Sequence, residues 1–143
     1  MTTQPPEPPA EPHPDLRSLD VLVGSWAMTG RDLTSGEATS GQLSFEWMEG
    51  GYFLVQRVDM DGEKGIEYIR HDPQTGSLTS NYFGTGGNAF TYVWRVEGDT
   101  LRIWFGAAGS PAGFTGKFSD DRNTITGRWE WPGGGYEATI VRQ

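Results

Sequence analysis

From residue 24 onward the chain alternates apolar and polar residues in short runs, and each run stops at a turn signal. "GQLSFEWM" puts Leu43, Phe45 and Trp47 on one face and Gln42, Ser44 and Glu46 on the other. "NAFTYVWRV" aligns Phe90, Tyr92, Trp94 and Val96, and "TLRIWF" aligns Leu101, Ile103 and Phe105. "GFTGKF" and "TITGRWEW" repeat the pattern with Phe114, Gly116 and Phe118, then Ile125, Gly127, Trp129 and Trp131. A period of two with one apolar face is the signature of a half-buried strand. Between the runs stand Glu49-Gly50-Gly51, Asp61-Gly62, Asp72-Pro73-Gln74-Thr75-Gly76, Glu97-Gly98-Asp99, Asp120 to Asn123 and Pro132 to Gly135. These residues either accept a positive φ or preset a turn.

The spacing predicts about ten strands, near 24–31, 41–48, 52–60, 65–71, 77–84, 88–97, 100–106, 113–119, 124–131 and 136–142. No long helical pattern interrupts them. Consecutive hairpins leave no long crossover for a Greek key, so the expected fold is all-β, an antiparallel up-and-down barrel. Closing the meander also removes its exposed edges. A two-sheet sandwich is the alternative. The 143 residues suit one domain at 15–143, preceded by a proline-rich flexible tail at 1–14. "PDLRSLDVL" follows the tail as a short helical turn, with Pro14 and Asp15 at its start and Leu16, Leu19 and Leu22 on one face.

Composition removes several function classes. With 11 Lys+Arg against 19 Asp+Glu, the net charge is −8 and no basic run exists. Such a chain lacks the cationic footprint that nucleic acid or an anionic membrane requires. There is no cysteine, hence no disulfide, thiolate metal site or cysteine nucleophile. No apolar stretch approaches the roughly 20 residues of a membrane-spanning helix. The first residues show neither a basic n-region nor an apolar h-region, so the expected location is cytoplasmic.

"GSW" opens the first strand and "YEATIVRQ" closes the last. Gly24, Trp26 and Arg142 in these positions, after a short helical turn, resemble the opening and closing signature of the calycins, the lipocalin-like barrels. The resemblance implies that Trp26 plugs the narrow end of the barrel, with Arg142 across its ring and the helical turn over the same end. "LVGSW", "FEWMEGGYFLVQR", "GIEYIRHDPQTG" and "WRVEGDTLRI" are similar to a bacterial family of small calycin-like domains of unknown function, over most of residues 19–142. More distantly, "EYIRHDPQTG" resembles a segment of the nitrobindins, ten-stranded barrels that bind haem. That likeness implies an axial histidine late in the chain. The only histidines are His13 and His71, and the last two strands contain none, so no haem and no other cofactor is expected.

Other chemical patterns are weak. "DMDGEKGIE" carries Asp59, Asp61, Glu63 and Glu67 but not the spacing of a calcium loop, and reads as a hairpin turn. "GTGG" at 84–87 leads into a strand and so makes no phosphate cradle. No metal site is expected.

In strands three to five the alternation blurs, with polar and aromatic residues on both faces. A polar-edged pocket explains this, and so does packing against another subunit of a homodimer or against the tail. The pocket reading makes the protein a binder of a small apolar or aromatic molecule. Its aromatic wall would be Phe45, Trp47, Tyr68, Tyr82, Phe90, Tyr92, Trp94, Phe105 and Trp129, and Gln56, Arg70 and Asn81 would add polar contacts with Tyr68 and Tyr82. Two other classes stay open. One is a cofactor-free cyclase or isomerase, using Glu67 or Tyr68 as its acid or base; these neighbours cannot both point inward. The other is an interaction module whose barrel is simply filled.

Overall fold

The computed structural model describes residues 4–143. A 3-10 helix at Pro14–Leu22 leads into ten strands: β1 (Gly24–Asp32), β2 (Ala38–Trp47), β3 (Leu54–Met60), β4 (Glu63–His71), β5 (Leu78–Gly84), β6 (Ala89–Glu97), β7 (Thr100–Phe105), β8 (Gly113–Phe118), β9 (Thr124–Trp131) and β10 (Gly134–Arg142). Each pairs antiparallel with its sequence neighbours, and β10 pairs with β1 to close the barrel. The expected strands are all present, with ends displaced by up to three residues.

The displacements have local causes. The Asp32 carboxylate accepts from the backbone N–H groups of Thr34 and Ser35 at 2.8 Å each, which tightens the turn and lets pairing begin at Ala38. β3 starts late because Tyr52 is turned away, its hydroxyl donating to the Pro9 carbonyl at 2.9 Å. Asp61 and Gly62, both at positive φ, form the two-residue β3–β4 hairpin in place of any calcium loop.

One end of the barrel is sealed by the 3-10 helix. Residues three apart eclipse in this geometry, so Leu16, Leu19 and Leu22 form a single row, and all three are buried. His13 caps the helix by accepting from the Asp15 N–H. Below the leucines lies Trp26, fully enclosed, whose indole N–H donates to the Leu22 carbonyl at 2.8 Å. The Arg142 guanidinium sits 4.1 Å from the Trp26 ring centroid. It also donates to the carbonyls of Val23 (2.5 Å), Val21 (2.7 Å) and Arg122 (3.2 Å), and to the Asn123 side chain (3.0 Å).

This explains the glycine of "GSW". Gly24 has φ +132°, and a Cβ there would stand 2.8 Å from the Arg142 Nη1. The missing side chain is the space the guanidinium occupies.

Truncating Trp26→Ala should cost about 3–5 kcal/mol, the range for a large aromatic lost from a core. Arg142→Ala should cost less, because the leucine row still covers the ring. Urea denaturation measures both, and a wild-type midpoint for Trp26→Ala would show that this end is held together by something else.

Candidate functional site

Inward-facing residues above the Trp26 plug do not fill the barrel. They enclose a cavity of about 300 Å³, lined on most sides by aliphatic and aromatic groups from β1 to β10 and by Leu22 of the helix. Its lower wall has Phe45 and Trp94 packed edge to face, with ring centroids 6.1 Å apart. Higher up, Tyr92 meets Trp129 at 6.0 Å, and Tyr82 stacks on Phe90 at 6.2 Å.

One corner is polar. Adjacent strands place Phe45, Gln56, Glu67, Tyr82 and Phe90 in register across β2 to β6. Gln56 and Glu67 are buried. The Glu67 Oε2 accepts from the Ser80 hydroxyl at 2.6 Å and from the Trp94 indole N–H at 2.9 Å; the same N–H reaches Ser80 Oγ at 3.0 Å. No fully enclosed side-chain N or O atom among the described residues lacks a partner. Glu67 Oε1 and the Gln56 amide have no partner among the described residues, so they face the open cavity.

Burial pushes the Glu67 carboxyl up to about 7, against the opposing pull of the Ser80 and Trp94 hydrogen bonds. Tyr92 is pushed up to about 12, first by burial and then by the Glu67 carboxylate. Tyr136 is raised chiefly by burial, and Tyr82 by burial and by Glu63 and Glu67. At neutral pH the three phenols are therefore neutral groups, while Glu67 is poised between its two states.

The structure sorts the residues expected from sequence. Phe45, Gln56, Tyr82, Phe90, Tyr92, Trp94 and Trp129 line the cavity. Tyr68, Arg70 and Asn81 do not. They alternate with Glu67, Ile69 and Tyr82 and stand exposed on the outer face. Trp47 lies outside the cavity wall at the sealed end, where its indole N–H donates to Asp20 at 2.7 Å. Phe105 is exposed at the opposite rim, 5.7 Å from both Phe90 and Tyr92. Tyr136, Glu63 and Met60 line the cavity but were not in the expected wall, and Glu67 was expected only as an acid or base. The blurred alternation thus has two sources: a polar corner inside, and Tyr68 and Phe83 exposed outside.

His71 is not in the cavity wall. Its ring stacks on His13 with centroids 3.7 Å apart and planes within 4°. Ligand atoms of His13, Asp15 and His71 lie within 4.8 Å of one another. Imidazole binds a metal through an in-plane lone pair, and two parallel rings cannot both aim at one ion. The arrangement is a stack that fastens the tail beside the helix.

No family model matches the chain, and no match exists among curated proteins. Among solved structures, Rv2717c from M. tuberculosis superposes with a TM-score of 0.58 at 16% identity, covering 93% of this chain and 99% of that one. At such identity the likeness is one of fold. A de novo designed fluorescence-activating β-barrel has a TM-score of 0.46 at 12% identity, covering 88% of this chain and 97% of the design. No described helix is long and apolar enough to cross a membrane.

The position of Glu67 has a measurable consequence. Its carboxyl titrates at 4.5 when exposed in the unfolded chain and at about 7 in the fold. Between these values the native state holds a proton that the unfolded state has released. Stability should therefore fall as pH rises through this window, by up to about 1.4 kcal/mol per pH unit, and level off above it. Urea titrations across the window should show this slope in wild type and its loss in Glu67→Gln; identical slopes would contradict the assignment.

Proposed function

We propose that the chain is a calycin-like barrel that binds a small apolar or aromatic molecule in its cavity, without haem. The observation that carries this reading is an apolar, ring-lined space with a single polar corner. Ligand sites have this character: apolar walls supply affinity and a few convergent polar groups set orientation. At about 300 Å³ the space lies at the small end of such sites. A filled interaction module would not leave Glu67 Oε1 and the Gln56 amide facing open space. No described histidine stands in the wall, which speaks against the histidine-ligated haem of the nitrobindin likeness.

Calorimetric titration with a panel of small aromatic and alicyclic compounds should give saturable binding. Ala138 lines the cavity and is buried. Ala138→Leu should fill part of the space and weaken binding by about tenfold or more, equivalent to about 1.4 kcal/mol. Arg128→Ala, exposed on the outer face, should leave it unchanged. Failure of the whole panel to bind would refute the reading.

Glu67 also favours a second reading, proton transfer in a cyclase or isomerase. A carboxyl that titrates near neutrality inside an aromatic cavity is matched to acid–base work. Chemical conversion of a bound compound, abolished in Glu67→Gln with binding retained, would select this reading.

A further inference from the structure

Every ionisable side chain described in the cavity wall is a carboxyl or a phenol. Glu63 and Glu67 project from the same face of β4, and among the described residues no Lys, Arg or His lines the space. Between the two carboxyls is Gly65, and a Cβ there would collide with the Tyr82 ring. Tyr82 thus lies across the strand between the two acids. Glu63 stands at the exposed rim, its Oε1 accepting from the Asn88 amide at 2.6 Å. Glu67 stands deeper, with Tyr82 from β5, Tyr92 from β6, Gln56 from β3, and its partners Ser80 and Trp94. Nothing cationic faces it from any of these strands.

Resting on the reading that the cavity binds a small molecule, the geometry points to an organic cation as its occupant: an ammonium group on a small apolar or aromatic body. The ammonium seats against Glu67, Gln56 and the face of Tyr82. The body packs on Phe90, Tyr92 and Trp129.

Three independent features converge on this class. The first is hydrogen-bonding capacity. An ammonium has three donors and no acceptor, and the cavity offers the free Glu67 Oε1 and the Gln56 carbonyl to receive them. The second is the wall itself, since aromatic faces attract a desolvated cation. The third is charge. A fatty or aromatic carboxylate would set its own charge beside Glu63 and Glu67 in a chain of net charge −8, whereas a cation is drawn in. The same class accounts for Glu67. A buried carboxyl is costly unless paired, and no described residue supplies a counter-ion. A bound ammonium provides one.

The experiment uses the full-length protein and three compounds on one skeleton: 2-aminoindane, 2-indanol and indane-2-carboxylic acid, compared by calorimetry. At about pH 7.5 the amine should bind about tenfold or more tightly than the alcohol, and the acid more weakly than either. Because the ammonium holds Glu67 ionised, amine binding below about pH 7 should release a proton, seen as a heat that differs between buffers of different ionisation enthalpy. Amine affinity should rise by up to about tenfold per pH unit up to that point and then level off, while the alcohol shows neither effect. Glu67→Gln keeps an acceptor for Ser80 and Trp94. It should bring the amine to within about threefold of the alcohol. If that variant does not fold, the proton release of the wild type decides alone. An alcohol that binds as tightly as the amine, or an amine that binds without releasing a proton, overturns the cation while leaving the cavity reading intact. Absence of binding by all three overturns the cation as well, and the wider panel then decides whether the cavity reading falls with it.

Discussion

The contact between Arg142 and Trp26 joins the two ends of the chain. β1 and β10 could pair through their backbones alone, but ladder hydrogen bonds do not fix where a strand register begins. Here the guanidinium lies over an indole from the first strand while donating to carbonyls of Val21 and Val23, at the end of the helix. One side chain therefore sets the closing register, covers the plug and ties down the helix end. Orphan carbonyls at that end would otherwise need water. The Trp26 indole satisfies the Leu22 carbonyl in the same way. The remaining strands are joined in sequence order by short connections.

With one end sealed by large groups, the barrel is left hollow at mid-height. Small residues keep it so: Ala138 stands in the wall, and Gly65 lets the Tyr82 ring lie flat against β4. Into this space the fold places Glu67. The Ser80 and Trp94 hydrogen bonds hold its orientation but do not offset its desolvation, and the carboxyl rises to about 7. On the proposed binding reading, the acid makes the corner responsive to its occupant, because a neutral molecule would meet a protonated carboxyl and a cation an ionised one.

Much of the wall was legible in strand parity. Phe90, Tyr92 and Trp94 share a face opposite Thr91, Val93 and Arg95, and β6 places all three in the cavity wall. β4 was not legible in this way. In "GIEYIRH" both faces carry one convincing apolar group, Ile69 with Glu67 on one side and Ile66 with Tyr68 on the other. Parity favoured neither, and the expected wall took Tyr68 and Arg70 where the fold turns Glu67 into the cavity wall and Ile69 into the packed core. The same near-balance put Asn81 in the expected set beside Tyr82. Trp47 and Phe105 have the inward parity but sit at opposite ends of the barrel, and height along the axis is invisible to a period of two.

The sequence by itself determined an all-β chain of ten hairpin-linked strands, an acidic surface and the Gly24–Trp26–Arg142 set. The strands, turns and charge are local properties: alternation follows from the pleat, turns from residues that tolerate positive φ, and charge from composition. The Gly24–Trp26–Arg142 set spans the chain and was legible only through its resemblance to the calycin signature. Tertiary structure decided which face of β4 turns inward, how high each ring stands, and that about 300 Å³ remains unfilled. Those properties depend on stagger between strands and on how side chains from ten strands share one interior. No window along the chain contains that information, because the groups that meet at Glu67 come from β3, β4, β5 and β6 and become neighbours only when those four strands pair in register.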